Sequence, residues 1–211
     1  MIILKSESPS ENLKDQNLKL LYGCAVLFGI VPAFAAAHPP ILPQQDVAVS
    51  YDLEVSGRPD TAYQLEYSAA AQRARLTSVA QGTVFLVNIP AGSAQIIVPM
   101  LHAIVQAPDL SRFTQQVNDA GNAQFTPLGK QHYAGHECEN YLVTSPKGSA
   151  TACLTPDGVA LHFHGSNDRG EATVTATALR YGAQPPGDFA APDGFSQVTL
   201  PPGMLAQILQ Q

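Results

Sequence analysis

Between Val47 and Val55 the chain alternates without a break, Val47, Val49, Tyr51, Leu53 and Val55 against Ala48, Ser50, Asp52 and Glu54. Side chains two apart on an extended strand leave by the same face, so this period fits a half-buried antiparallel strand and not a helix. After the turn signal Gly57-Arg58-Pro59-Asp60, the alternation returns at Tyr63, Leu65 and Tyr67, with Gln64 and Glu66 facing away. A weaker strand is predicted at Arg73 to Val79. Thr83 to Ile89 is apolar on both faces (Val84, Leu86; Phe85, Val87, Ile89), which requires a central strand or cover on both sides. From Ala94 to Val105, Ile96, Ile97, Val98, Leu101, Ile104 and Val105 would suit a helix face, but Pro99 and the β-branched run favour two short strands.

Asp109 to Asp119 reads as a helix, with Asp109 as N-cap, Leu110, Phe113 and Val117 on one face, and Gly121-Asn122 beyond it. From Gln131 to Tyr181 strands return at Cys138 to Thr144, Ala150 to Thr155, Val159 to His164 and Ala172 to Tyr181. The turns between them are Ser145-Pro146-Lys147-Gly148, Pro156-Asp157-Gly158 and Ser166-Asn167-Asp168-Arg169-Gly170. A stretch with Pro185, Pro186 and Pro192 leads to Pro201-Pro202-Gly203 and a short amphipathic helix striped with Met204, Leu205, Ile208 and Leu209. About nine or ten strands with two short helices give a mainly β (α+β) fold, a curved antiparallel sheet or half-open barrel.

The apolar run Leu18 to Ala37 has Lys14 before it and Lys19 at its start, and closes on Ala35-Ala36-Ala37, small residues spaced as a signal peptidase needs them. The expected organisation is a signal peptide over residues 1–37, cut before His38, and a single β-rich periplasmic domain over 38–211; Ala33-Phe34-Ala35 offers a second cut. Such a run is also long enough to anchor in a membrane, but Pro32 and the alanines fit a cleavage region better. Leu21-Tyr22-Gly23-Cys24 looks like a lipobox, yet the strongest apolar residues follow Cys24 rather than precede it. Residues 1–17 are long and acidic for a leader, with Glu7, Glu11 and Asp15; a start downstream of Met1 would remove this oddity.

The whole chain has a formal charge of -6, and the signal region takes as many acidic as basic residues with it. Two lysines, Lys130 and Lys147, remain, with no basic cluster. A phosphate backbone needs several converging cations, so nucleic acid is excluded as a partner, and an anionic membrane surface would repel the domain. Once Cys24 is gone, Cys138 and Cys153 are the only cysteines. In an oxidising compartment a pair 15 residues apart is most simply a structural disulfide, since no Cys-x-x-Cys redox motif occurs.

Three segments carry a resemblance: Gly129-Lys130-Gln131-His132-Tyr133-Ala134-Gly135-His136-Glu137-Cys138, then Cys153-Leu154-Thr155-Pro156-Asp157-Gly158-Val159-Ala160-Leu161, then Phe189-Ala190-Ala191-Pro192-Asp193-Gly194-Phe195. Together they resemble an uncharacterised family of bacterial periplasmic domains, itself similar to the LolA/LppX-like lipoprotein-carrier fold. The resemblance spans roughly residues 80 to 200, and its motifs mark turns and a disulfide rather than chemistry. It implies a half-open barrel with helices plugging its mouth and a hydrophobic ligand or lipoprotein as cargo.

His162 and His164, two apart on a strand, are weak candidate metal ligands that His132 and His136 could supplement. Val159, Leu161 and Phe163 would form the inward face, however, leaving both histidines on a solvated outer face. No Gly-x-Ser-x-Gly elbow, phosphate-binding loop or His-Glu-x-x-His occurs, and Asp52 with Glu54, or Asp157 with Asp168, are explained by polar faces and turns. No catalytic residue and no cofactor is implied. Tyr51, Tyr63, Tyr67, Phe85 and Phe163 alternate inward, where core and ligand surface are the same face in an open barrel.

The first expectation is therefore a non-enzymatic periplasmic binding protein without a membrane span after signal removal. Its ligand-facing candidates are Val49, Tyr51, Leu53, Tyr63, Leu65, Tyr67, Leu86 and Val87, and Met204, Leu205, Ile208 and Leu209 are candidates for a lid. The rivals are a structural envelope protein with a filled core and a metal-binding protein using His162 and His164.

Overall fold

The computed structural model describes residues 38–107, 119–167 and 170–198. Twelve strands lie within them. They are Val47–Val55 (β1), Thr61–Ser68 (β2), Arg73–Ser78 (β3), Val84–Asn88 (β4), Ser93–Val98 (β5), Ala103–Ala107 (β6), Gln124–Tyr133 (β7), His136–Ser145 (β8), Gly148–Leu154 (β9), Ala160–Asn167 (β10), Gly170–Tyr181 (β11) and Ser196–Val198 (β12). All belong to one open sheet ordered β12-β6-β5-β4-β3-β2-β1-β11-β10-β9-β8-β7. Two antiparallel meanders, β1 to β6 and β7 to β11, are joined in the middle by β1 against β11. Only β12, parallel to β6, departs from the antiparallel rule among the described strands.

The ambiguous stretch after Ala94 resolves into β5 and β6 around a 3-10 turn at Pro99–Leu101. Most of the expected helix from Asp109 lies outside the described residues, as do the signal region and the candidate lid residues Met204, Leu205, Ile208 and Leu209.

The strand the sequence hid is the first part of β7. Pro127 and Gly129 interrupt its pattern, and the register shifts between them. β7 is an edge strand, and an edge is where a proline without an N–H and a bulge are tolerated. The hairpin from Tyr133 to His136 turns on Ala134 and Gly135, both left-handed at φ 51° and 78°. That pair of positive angles is what a two-residue turn needs to match strand twist.

Register fixes two faces. The inner face carries Val47, Val49 and Tyr51 of β1, which lie opposite Tyr67, Leu65 and Tyr63 of β2. With Val159, Leu161, Ala176, Leu179 and the disulfide Cys138–Cys153, Val47, Val49 and Tyr67 form the main core. β4 is apolar on both faces because both are used. Phe85 turns inward beside Leu76, while Val84 and Leu86 join Ile97 and Ile104 in a second, outer cluster.

The chain after β11 covers that outer cluster. Phe189 is buried, and Phe195 packs with Ala191 against the outer cluster, so the phenylalanines at the two ends of the third resembling segment act as fasteners. His102 holds the same strap through its ring, 5.3 Å from Phe195, and through its carbonyl, which accepts from the Ser196 amide at 2.9 Å. At the other end, residues before β1 lie over the turn 155–159, where the Gln44 amide donates to the Asp157 carbonyl at 2.8 Å.

Candidate functional site

Where the core stops, the inner face stays apolar but is no longer filled by the described residues. Tyr51, Leu53, Tyr63, Leu76, Phe85 and Val174 line a concave space of about 340 Å³. Cross-strand register brings them together: Tyr51 faces Tyr63, Leu53 faces Val174, and Leu76 faces Phe85. None carries a formal charge. The one deeply placed polar group, the Tyr51 hydroxyl, donates to the Ala160 carbonyl at 2.8 Å. Burial pushes that phenol well above its ordinary value, so it stays neutral and its proton stays in this bond.

A second space of about 440 Å³ adjoins the first. Val143, Ala150, Phe163, Gly165 and Ala172 form its apolar floor, and Ser145, Ser149, Ser166 and the Lys147–Asp119 ion pair form its polar rim. The two lie side by side on one face of the sheet, since Phe163 lines one and its cross-strand partner Val174 lines the other. The result is a trough with an apolar bed and a polar end. Phe163, with 37% of its surface exposed, is its most open aromatic.

Of the ligand-facing candidates, Tyr51, Leu53 and Tyr63 line this trough. Val49 and Tyr67 share its face but are buried in the filled core, and Leu65 packs against that core. Val87, opposite Ala74, also faces inward. Leu86 does not: it lies in the outer cluster under the strap, because adjacent strand residues leave by opposite faces and register assigns the inner one to Phe85. Leu76 and Val174 went unpredicted. Val174 had a legible signal, since Thr173 and Thr175 on either side mark the outer face.

His162 and His164 leave β10 opposite Leu161 and Phe163, but only His164 is solvated there; His162, expected on a solvated face, is half-buried under Tyr133. His162 lies parallel to the Tyr133 ring at 4.7 Å, and its Nδ1 is 3.1 Å from the Thr175 hydroxyl; His164 is exposed, with Nδ1 3.0 Å from the Thr173 hydroxyl. Among the described residues no three His, Cys, Asp or Glu side chains converge to hold a metal ion. Burial and the neighbouring His164 lower the His162 pKa below the ordinary 6.5, and Glu54 partly opposes them. The folded protein then binds fewer protons than the unfolded chain, so this group's contribution to stability is lost as pH falls through 6.5 toward the folded value. Urea midpoints should fall less between pH 7.5 and pH 5 in His162→Gln than in the unsubstituted protein. Equal pH dependence of the two would reject this account. His164→Gln should change stability by less than about 0.5 kcal/mol.

Among solved structures the chain is similar to an uncharacterised conserved protein from Thermus thermophilus, at a TM-score of 0.55 and 9% identity over 74% of this chain and 91% of that one. It is also similar to MucB of Pseudomonas aeruginosa, solved in complex with MucA, at a TM-score of 0.52 and 19% identity. That likeness covers 76% of this chain and 63% of the MucB chain. At these identities the likeness is one of fold. A LolA superfamily protein from Nitrosomonas europaea and the Mycobacterium tuberculosis lipoprotein LppX match at TM-scores of 0.37 and 0.40, too low to add weight. The open, strongly β sheet of the molecule is consistent with the curved sheet or half-open barrel expected from the sequence. No protein-family model matches the chain, and no curated protein sequence does.

Proposed function

We propose that this protein is an exported, periplasmic, non-enzymatic binding protein whose trough holds a hydrophobic ligand, an acyl chain or the acylated part of a lipoprotein. One observation carries the reading. Past the filled core, the inner face keeps a concave apolar bed of Tyr51, Leu53, Tyr63, Leu76, Phe85 and Val174, without a formal charge and at a volume usual for small-molecule sites. A protein that was only structural would gain by closing such a space, since unfilled apolar volume forfeits packing energy. Export is supported by the apolar leader ending in Ala35-Ala36-Ala37 and by the Cys138–Cys153 disulfide, which belongs in an oxidising compartment.

Leu53→Lys tests the reading, because an ammonium in the bed repels an apolar chain while its long stem lets the half-buried position tolerate the change. Displacement of a fluorescent fatty acid should show binding weakened at least about tenfold. Undiminished binding would remove the trough as the site. A second reading takes the occupant to be an apolar segment of a partner protein. It is favoured by the likeness to MucB, which was solved in complex with MucA, and native mass spectrometry of the protein purified from its compartment separates a bound lipid from a bound polypeptide.

A further inference from the structure

We propose that Gly165 and Phe163 form a gate that sets how long and how bulky an apolar chain the trough accepts. The inference rests on the reading that the trough holds an acyl chain, and it adds what decides the chain's length. Phe163 stands at the junction, lining the chamber with the polar rim while its cross-strand partner Val174 lines the chamber of Tyr51 and Phe85. On a strand, residues two apart share a face, so along β10 the Phe163 ring can lean over residue 161 or over residue 165. It leans over 165. A Cβ built on Gly165 would lie 3.1 Å from Phe163 Cζ, 3.2 Å from Cε1 and 3.3 Å from the Ala150 Cβ.

Gly165 is not among the glycines with a left-handed backbone, so its conformation is open to any residue. What a side chain at this position would meet is the ring. Its absence lets the ring lie back as part of the floor, and a larger residue would lift the ring toward Val174 and narrow the passage between the chambers. The preferred occupant is a single unbranched chain that runs past Phe163, with its polar end among Ser145, Ser149, Ser166 and the Lys147–Asp119 ion pair.

The test measures binding of the saturated fatty acid series from octanoate to stearate to the purified protein and to Gly165→Val, Phe163→Ala and the double variant Gly165→Val/Phe163→Leu. In the unsubstituted protein affinity should climb with chain length, by up to about fourfold per buried methylene. Gly165→Val should weaken palmitate at least about tenfold and octanoate far less, and the double variant should restore palmitate. Phe163→Ala should keep the long-chain preference and gain binding of branched phytanate. A Gly165→Val protein with the original unfolding midpoint and the original chain-length profile would overturn the gate. If Gly165→Val does not fold, Phe163→Ala decides: an unaltered discrimination between palmitate and phytanate overturns it equally. Should the unsubstituted protein bind no acid of the series, the acyl reading itself falls, a result distinct from any failure of the variants alone.

Discussion

Gly158→Ala should lower the stability of this protein by about 3 kcal/mol, and its melting temperature by on the order of 10 °C. Two penalties meet at this position. The backbone has φ +90°, where a Cβ is strained, and an ideal Cβ would sit 2.6 Å from the Leu42 carbonyl oxygen and 2.9 Å from that of Pro40. Those atoms are main chain and cannot rotate aside. The segment before β1 would have to lift from the turn 155–159, breaking the bond from the Gln44 amide to the Asp157 carbonyl. The turn has its own framework: the Thr155 hydroxyl donates to Asp157 Oδ1 at 2.7 Å and accepts from the Val159 amide at 2.9 Å. Gly57→Ala is the control, because φ there is +77° with nothing within 4 Å of the added Cβ. Its expected loss is strain alone, about 1 kcal/mol. Equal losses in urea denaturation of the two variants would show that the contact with Pro40 and Leu42 is not what requires glycine at 158.

Replacing both cysteines should have an effect of similar size. Cys138 and Cys153 are 1% and 0% exposed and lie within the main core, so their bond joins β8 to β9 where Val47, Val159 and Leu161 meet. Closing a loop with a sequence separation of 15 stabilises a fold by about 3 kcal/mol in the chain-entropy account. The Cys138→Ala/Cys153→Ala variant should therefore unfold at a clearly lower urea concentration. Dithiothreitol should lower the midpoint of the unsubstituted protein and leave that of the variant where it was. A midpoint in the unsubstituted protein that ignores the reductant would mean that the bond adds nothing measurable to the equilibrium.

Alternation made most of the architecture readable. β1 was visible to the residue because one of its faces is buried and the other is wet, and β8 to β11 were visible because turn residues separate them. The same reading was silent about the first part of β7 and about β12. Pro127 and Gly129 break any period in the one, and the other is three residues held in place by the strap beneath His102.

Sequence alone determined that Tyr51, Leu53 and Tyr63 share a face, that His162 and His164 take the side opposite Leu161, and that Cys138 and Cys153 are partners. The first two follow from local periodicity, and the third from the expectation that Cys24 leaves with the leader, which makes the other two the remaining pair. Only the tertiary structure decided between Phe85 and Leu86. A strand apolar on both sides carries no phase of its own, and the phase came from Leu76 across β3 and from the strap that covers Leu86. The trough itself was decided at the same level, because Leu76 and Val174 are nearly a hundred residues apart and become neighbours of one space only through the pairing of β1 with β11. Periodicity says which way a side chain points. Whether the place it points to is filled or empty depends on every other strand around it.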